Sequence, residues 1–166
     1  MNRILVSIGS NIDRRKHIAS GVEALREAFG EVALSPIYET PAEGFEGDDF
    51  FNLVAGFDSD LSPEALNQRF KAIEAAHGRE RLDEKFAPRT LDIDLLLYGD
   101  EIIDAGGVQT PRDEILRYAF VLQPLADLVP DGVYPGREET FAALWRAELD
   151  SGRMKPGRRV SIDLGT

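Results

Sequence analysis

Six segments in the order strand, helix, strand, strand, helix, strand constrain the fold of this chain more than any other feature. Residues 3–8 (RILVSI) are rich in β-branched side chains and predict a strand. After a turn at Gly9-Ser10-Asn11, the residues Ile18, Val22, Leu25 and Phe29 recur at helical spacing, and Gly30 supplies a C-terminal cap. Residues 31–38 (EVALSPIY) predict an irregular strand, with Pro36 marking an edge or a bulge. Residues 39–50 are an acidic, Gly- and Pro-containing loop, and residues 51–58 (FNLVAGFD) a strand. Ser62 and Pro63 have the chemistry of a helix N-cap and first position. Leu66, Phe70 and Ile73 form that helix's apolar stripe, and Gly78 ends it. Residues 79–90 are charged and aperiodic, hence a loop. Residues 91–98 (LDIDLLLY) are a strand, and Gly99-Asp100 turns toward a short strand at 101–103. This order is the signature of an α+β ferredoxin-like βαββαβ sandwich, an antiparallel sheet with two helices on one face. The rest predicts loops and short helices, one near 119–129 and one starting at Thr140 that buries Phe141, Leu144 and Trp145. Residues 1–166 read as one domain, with 150–166 a polar, mobile or loosely docked tail.

Composition narrows the possible functions. A chain of 166 residues that is 43% hydrophobic can bury a real core. No apolar run approaches the roughly 20 residues of a membrane span. The opening MNRILVSIGSNIDRRK reads as a buried strand rather than a signal peptide, because its apolar part is short and no small-residue cleavage site follows. There are no cysteines, so disulfides, thiolate metal sites and thiol nucleophiles are excluded, and a cytoplasmic location is expected. Nineteen Lys and Arg face thirty Asp and Glu, a net charge of −11. That balance argues against nucleic acid and anionic membranes as partners, because both are bound through cationic neutralisation. Taken whole, it also looks unsuited to an anionic substrate.

The chemistry concentrates in Asp92-Ile93-Asp94. Strand periodicity puts Leu91, Ile93, Leu95 and Leu97 on one face and Asp92, Asp94 and Leu96 on the other. The two carboxylates stand roughly 7 Å apart at Cα and point the same way. Oxygen-only ligation of this kind suits Mg²⁺, completed by water and phosphate oxygens. Asp is disfavoured in strands, yet a strand with one solvated face would also tolerate it, and both readings stay open on these residues alone. Arg79, Arg81 and Arg89 stand around the adjacent loop. Read alone they are surface charge, since Glu80, Asp83 and Glu84 are interleaved. Beside two aspartates they suit phosphate contact and point to phosphoryl transfer. Tyr38-Glu39-Thr40-Pro41, with Phe50, Phe51 and Asn52, could stack and hydrogen-bond a flat heterocycle, although core filling accounts for at least one of the phenylalanines. There is no G-x-x-x-x-G-K-[ST], no G-x-G-x-x-G and no protein-kinase catalytic loop. His17 and His77 fall on predicted helices, in surface or capping roles.

The run Pro88-Arg89-Thr90-Leu91-Asp92-Ile93-Asp94-Leu95-Leu96-Leu97-Tyr98-Gly99 resembles the signature of the 6-hydroxymethyl-7,8-dihydropterin pyrophosphokinases. Ile8-Gly9-Ser10-Asn11, Tyr38-Glu39-Thr40-Pro41, Phe50-Phe51-Asn52, Ile73-Glu74, Gly78-Arg79-Glu80-Arg81, Phe120-Val121-Leu122 and Pro124-Leu125 are similar to further blocks of that family, in order, across about residues 4–132. The resemblance implies the ferredoxin-like fold, a monomer, and a folate-pathway reaction. The hydroxymethyl oxygen of the pterin attacks the β-phosphorus of the co-substrate ATP, pyrophosphate is transferred and AMP leaves. It implies two Mg²⁺ on Asp92 and Asp94, bridging the triphosphate and lowering the pKa of the attacking hydroxyl. It puts Thr40, Pro41, Glu43 (through its backbone), Phe50, Asn52 and Phe120 around the pterin, with Phe50 and Phe120 stacking on the ring. Lys71, Glu74, Arg79, Arg81, Arg89 and Leu95 fall on the nucleotide side, and Arg79 and Arg89 join the two aspartates in catalysis. Phe86 stands where a tryptophan is frequent.

The departures cluster on the ATP side. Pro111-Arg112-Asp113 stands where the family has Pro-His followed by an aromatic or proline. Tyr118 occupies an arginine position, with Arg117 displaced by one. Gly107 and Gln109 replace a common arginine and threonine. Arg112, Arg117 and Tyr118 are therefore expected on the nucleotide, with Arg112 taking over the histidine's phosphate contact. The rival reading is a catalytically weak or non-catalytic pterin-binding paralogue with altered nucleotide recognition. A third is an acidic interaction module. Net charge does not exclude ATP, because charge at a site is local: residues 79–89 carry four basic against three acidic groups. Two of the acids in the total, Asp92 and Asp94, would themselves recruit cations. The acidic surplus at 39–49 reads as solubility.

Overall fold

A computed structural model describes residues 1–41, 49–78 and 91–164. The elements are β1 (Asn2–Ser10), α1 (Arg14–Phe29), β2 (Ala33–Leu34), β3 (Ile37–Thr40), β4 (Phe50–Ser59), α2 (Pro63–Ala76), β5 (Asp92–Tyr98), β6 (Ile103–Ala105), β7 (Val108–Thr110), α3 (Glu114–Arg117), α4 (Ala119–Leu128), α5 (Phe141–Ser151) and β8 (Arg158–Val160). The main sheet runs β5-β1-β4-β3-β8, with β2 also on β4, and every pairing is antiparallel. The βαββαβ order therefore builds the expected α+β ferredoxin-like sheet.

Local chemistry explains the helices. The α1 stripe Ile18, Val22 and Leu25 is fully buried, and Gly30 at φ 85° ends the helix. Ser62 Oγ accepts from Ala65 N–H at 3.2 Å, with Pro63 at the first position of α2. Both helices cover one face of the sheet, over Ile4, Val6, Ile8, Leu53, Ala55 and Phe57, where Phe29 stacks on Phe57 at 4.2 Å. His77 caps α2. Its Nδ1 faces the Ile73 carbonyl at 2.7 Å and so carries the proton, leaving Nε2 to accept from Ser20 Oγ at 2.7 Å.

Residues 115–154 do more than the sequence suggested, because they roof the opposite face. Val121, Leu122 and Leu125 of α4, with Phe141 of α5, pack on Leu5, Val54, Leu96 and Leu97. A sheet covered on both faces needs apolar residues at consecutive positions, which is why β1 and β5 read as runs rather than alternations.

Three expectations are corrected. The β1–β5 register shifts between Leu5 and Val6, so that Leu97 pairs with Leu5 and Leu95 with Val6, leaving Leu96 as an extra residue. This bulge turns Leu97 toward α4, away from Leu91, Ile93 and Leu95, with which strict alternation grouped it. The short strand expected at 101–103 lies at Ile103–Ala105 and forms a hairpin with β7. Its two-residue turn holds Gly106 at φ 63° and Gly107 at φ 79°. That geometry explains the missing arginine at position 107, because a side chain there would be strained. Finally, 150–166 is no loose tail along its described length. Residues 158–160 pair with β3 as an edge strand, Met154 is buried, and Ile162 and Leu164 pack against the core. The backbone supplies that pairing, so little of it shows in side-chain pattern. Pro36 does separate β2 from β3; Ser35 Oγ bridges the break by accepting from Val54 N–H at 2.9 Å.

Candidate active site

Sheet register lines up the residues that matter. Asp92 lies opposite Gly9, Gly9 opposite Asn52, and Asn52 opposite Tyr38, in one row across β5, β1, β4 and β3. Residues in one row project to the same face, and here that is the α4 face. Asp92 and Asn52 sit two strands apart, about 10 Å between backbones, with only a glycine between them. A Cβ at Gly9 would lie 2.8 Å from Asn52 Oδ1 and 3.7 Å from Phe50 Cδ1. The missing side chain therefore leaves a gap from the carboxylates to the amide. Asn52 is buried, and its Nδ2 donates to Thr40 Oγ1 at 2.8 Å. That bond fixes the amide so that Oδ1 is presented toward Gly9.

On the β5 side, Asp94 is about a third exposed and its carboxyl is held well above the ordinary 3.8. The first cause is loss of water around it and the second is the like charge of Asp92; Arg112 opposes both. Arg112 Nη2 stands 3.7 Å from Asp94 Oδ1, while its Nε donates to Glu114 Oε2 at 2.5 Å. Its own N–H bonds the Leu96 carbonyl at 2.9 Å, so the bulged strand fixes where Arg112 begins. Glu74 continues the apolar stripe of α2, yet it is buried, because its Oε2 accepts from Ile93 N–H at 2.8 Å. It thereby ties α2 to β5 between the two aspartates. Lys71, one turn earlier on α2, is exposed. The side chain of Leu95 lies in the core under α1 and α2, away from the carboxylates.

A divalent cation fits this donor set. Among the described residues no cluster of three or more metal-binding side chains exists. Mg²⁺ does not require one, since it commonly takes one or two carboxylates and fills the remaining positions with water and phosphate oxygens. Two carboxylates whose mutual repulsion raises a proton affinity are what such a cation would relieve.

On the other side, aromatic residues sort by face. Phe51 is fully buried in the core, with the Arg14 guanidinium 3.9 Å from its ring centre, while Phe50 lies on the Gly9 side, partly exposed. Tyr38 is buried rather than presented to a ligand. Its hydroxyl donates to Asp127 Oδ2 on α4, and loss of water with that bond pushes its pKa up to about 12. Phe120 opens α4 and stacks on Tyr118 at 5.0 Å, so the two residues assigned to opposite substrates touch. Arg117 is exposed, paired with Asp113 at 3.5 Å. Pro41 is exposed at the end of β3. Glu39, expected to be one of the solvating acids, accepts from Arg14 at 2.7 Å and Arg158 at 2.5 Å, and these partners lower its pKa. Glu43, Arg79, Arg81 and Arg89 lie outside the described residues. Sequence reasoning missed Gly9 as a spacer and Gln123 as a buried tie. A glycine ending a β-branched strand and a glutamine inside an apolar helix were the available signals.

The profile of the 7,8-dihydro-6-hydroxymethylpterin-pyrophosphokinase (HPPK) family matches residues 5–130. The chain is 39% identical over 136 residues to the 2-amino-4-hydroxy-6-hydroxymethyldihydropteridine pyrophosphokinase of Pseudomonas aeruginosa, covering 79% of this chain and 83% of that one. It is 34% identical to the Aquifex aeolicus protein of the same name, covering 81% and 85%. Among solved structures, Plasmodium falciparum wild-type HPPK-DHPS with pteroate superposes with a TM-score of 0.73 at 12% identity. That match covers 90% of this chain and 44% of the longer one, and it speaks for the fold. The chain belongs to the HPPK family.

Proposed function

We propose that this chain transfers the pyrophosphoryl group of ATP to the hydroxymethyl oxygen of 6-hydroxymethyl-7,8-dihydropterin. The pterin oxygen bonds to the β-phosphorus, the bond from that phosphorus to the α–β bridging oxygen breaks, the hydroxyl proton is released and AMP leaves. The observation that carries the reading is the row Asp92–Gly9–Asn52. It sets a carboxylate pair beside an amide-lined slot with a glycine gap between. Phosphate and alcohol can meet there, and holding two reactants in register is where much of a transfer enzyme's rate comes from.

Under this reading Asn52, Thr40, Pro41 and the Glu43 backbone recognise the pterin edge, and Phe50 and Phe120 take its ring faces. Asp92 and Asp94 hold two Mg²⁺ ions. When bound, such ions neutralise phosphate charge and make an attacking hydroxyl more acidic. Lys71, Arg79, Arg81 and Arg89 serve the triphosphate. Arg112 is attached to Glu114 through Nε and directs Nη2 toward Asp94, so it is positioned to trade that carboxylate for a phosphate. Glu74 acts by holding Ile93, and Leu95 through its place in the strand. Residues 1–166 work as one unit, monomeric and cytoplasmic, without nucleic acid or membrane partners. No helix among the described residues is long and apolar enough to cross a membrane.

The test is to mix purified protein with ATP, Mg²⁺ and the hydroxymethyl dihydropterin and to follow AMP. AMP no higher than a no-enzyme blank defeats the proposal. The Arg112–Asp94 pair favours one rival, a pterin binder that handles nucleotide poorly, because the guanidinium competes with a cation for that carboxylate. Calorimetry separates the two: the rival binds pterin and shows no heat with a non-hydrolysable ATP analogue.

A further inference from the structure

Beyond residue 130, where the family profile ends, the chain returns to the substrate slot. Gly157 lies between its two walls. On one side, a Cβ at Gly157 would meet Thr40 Cγ2 at 2.9 Å, Tyr38 Cβ at 3.1 Å and the Glu39 carbonyl at 3.2 Å. No side chain fits there without moving β3. On the other side, Gly157 N–H donates to Gln123 Oε1 at 2.8 Å. Gln123 is buried on α4, one turn after Phe120, and its side chain also bonds Tyr38. The segment is anchored at both ends. Met154 is buried among α4 and α5, and Arg158 and Arg159 pair with Glu39 and Tyr38 in the sheet, with Arg158 Nη2 on Glu39 Oε1 at 2.5 Å.

We infer that residues 154–160 are a strap that sets the width of the pterin slot, and that Gly157 is its positioning residue. The inference rests on the proposed function, which assigns Thr40 and Asn52 to one wall and Phe120 to the other. The coupling is steric. Thr40 Oγ1 holds the Asn52 amide, so a shift of Thr40 by a few tenths of an ångström is passed directly to the group that would read the pterin edge. Gln123 couples the same backbone to the helix that carries Phe120. Gly157 itself meets β3 and α4, the two walls assigned to the pterin. Its effect should therefore fall on the pterin alone, and a general loss of packing would not discriminate in that way.

Wild-type protein, Gly157→Ala and Gln123→Leu are titrated calorimetrically with 6-hydroxymethylpterin in saturating Mg²⁺ and α,β-methylene-ATP, and separately with the nucleotide analogue alone. Gly157→Ala should weaken pterin about tenfold, in line with the cost of sub-ångström misplacement, and leave the nucleotide within about twofold. Gln123→Leu removes the tie without adding bulk at Thr40 and should show the same selectivity. It decides the matter if Gly157→Ala does not fold. Wild-type affinity for pterin in Gln123→Leu, or in a folded Gly157→Ala, overturns the strap, as does equal weakening of both ligands. No pterin binding by the wild type overturns the proposed function, and the strap's role falls with it.

Discussion

The two halves of the slot are built by opposite means. The β3–β4–α4 half is locked by bonds complete within the protein: Asn52 to Thr40, Tyr38 to Asp127, Gln123 to Gly157, and Glu39 between two arginines. The β5 half is held by charges in poor balance, two adjacent carboxylates and an arginine shared between Asp94 and Glu114. A neutral, flat ring is recognised well by a preformed surface, because ordering costs are met in folding rather than in binding. A tetra-anionic phosphate chain with its cations needs groups that change partners. The difference separates a preorganised wall from an electrostatically unfinished one, and it can be attacked from either side.

The largest effect should come from the unfinished half. Asp92→Ala combined with Asp94→Ala should lower AMP formation by at least about 10³-fold, since charge stabilisation in the transition state is lost. Calorimetric affinity for the pterin should change by less than about threefold if the halves are as separate as their construction suggests. Gly9 belongs to both halves. Gly9→Ala drives a methyl toward Asn52 Oδ1 and should cut kcat/KM for pterin on the order of 10²-fold. A steady-state rate within twofold of wild type would dissolve the gap on which the proposed reaction rests. Arg112→Ala should raise KM for ATP about tenfold and leave KM for pterin unchanged, as expected for one charge-assisted contact.

Smaller effects concern stability. The pKa of Asp94 is raised in the fold, so the folded state holds its proton more tightly than the unfolded chain does. Metal-free stability from this group is present below the ordinary 3.8 and is lost as pH rises through the folded value. Asp94→Asn should therefore melt higher than metal-free wild type at neutral pH, by about 2–4 °C, a gain that shrinks in acid. Thermal scans against pH check this, and a difference that stays flat with pH contradicts it. Tyr38→Phe tests the locked half. It leaves Asp127 without its phenol and should cost about 1–2 kcal/mol by denaturant unfolding. Absorbance titration should lose a phenol ionising at about 12.

Much of this was legible before any coordinates. Gly30, Ser62 and Thr140 mark helix ends by chemistry confined to one turn, and each stands where expected. Asp92 and Asp94 share a face because strand period is a local property. What failed was long-range. Leu97 changed faces because β5 carries one residue more than β1 opposite it, which only pairing reveals. Glu74 looked like a ligand contact at a stripe position, and its burial makes sense only once Ile93 N–H is opposite. Glu39 looked like surplus charge until Arg14 and Arg158, far away in the sequence, closed on it.

The sequence by itself determined the order of strands and helices, the paired carboxylates and the membership these imply, because periodicity, caps and motifs are written in neighbouring residues. Tertiary structure alone decided that Gly9 stands between Asp92 and Asn52, that Arg112 reaches Asp94, and that Gly157 lies against Thr40. Those facts depend on register between strands and on an edge strand recruited through its backbone. Backbone hydrogen bonds are the same for every residue, so they leave almost no trace in the side chains from which a sequence is read.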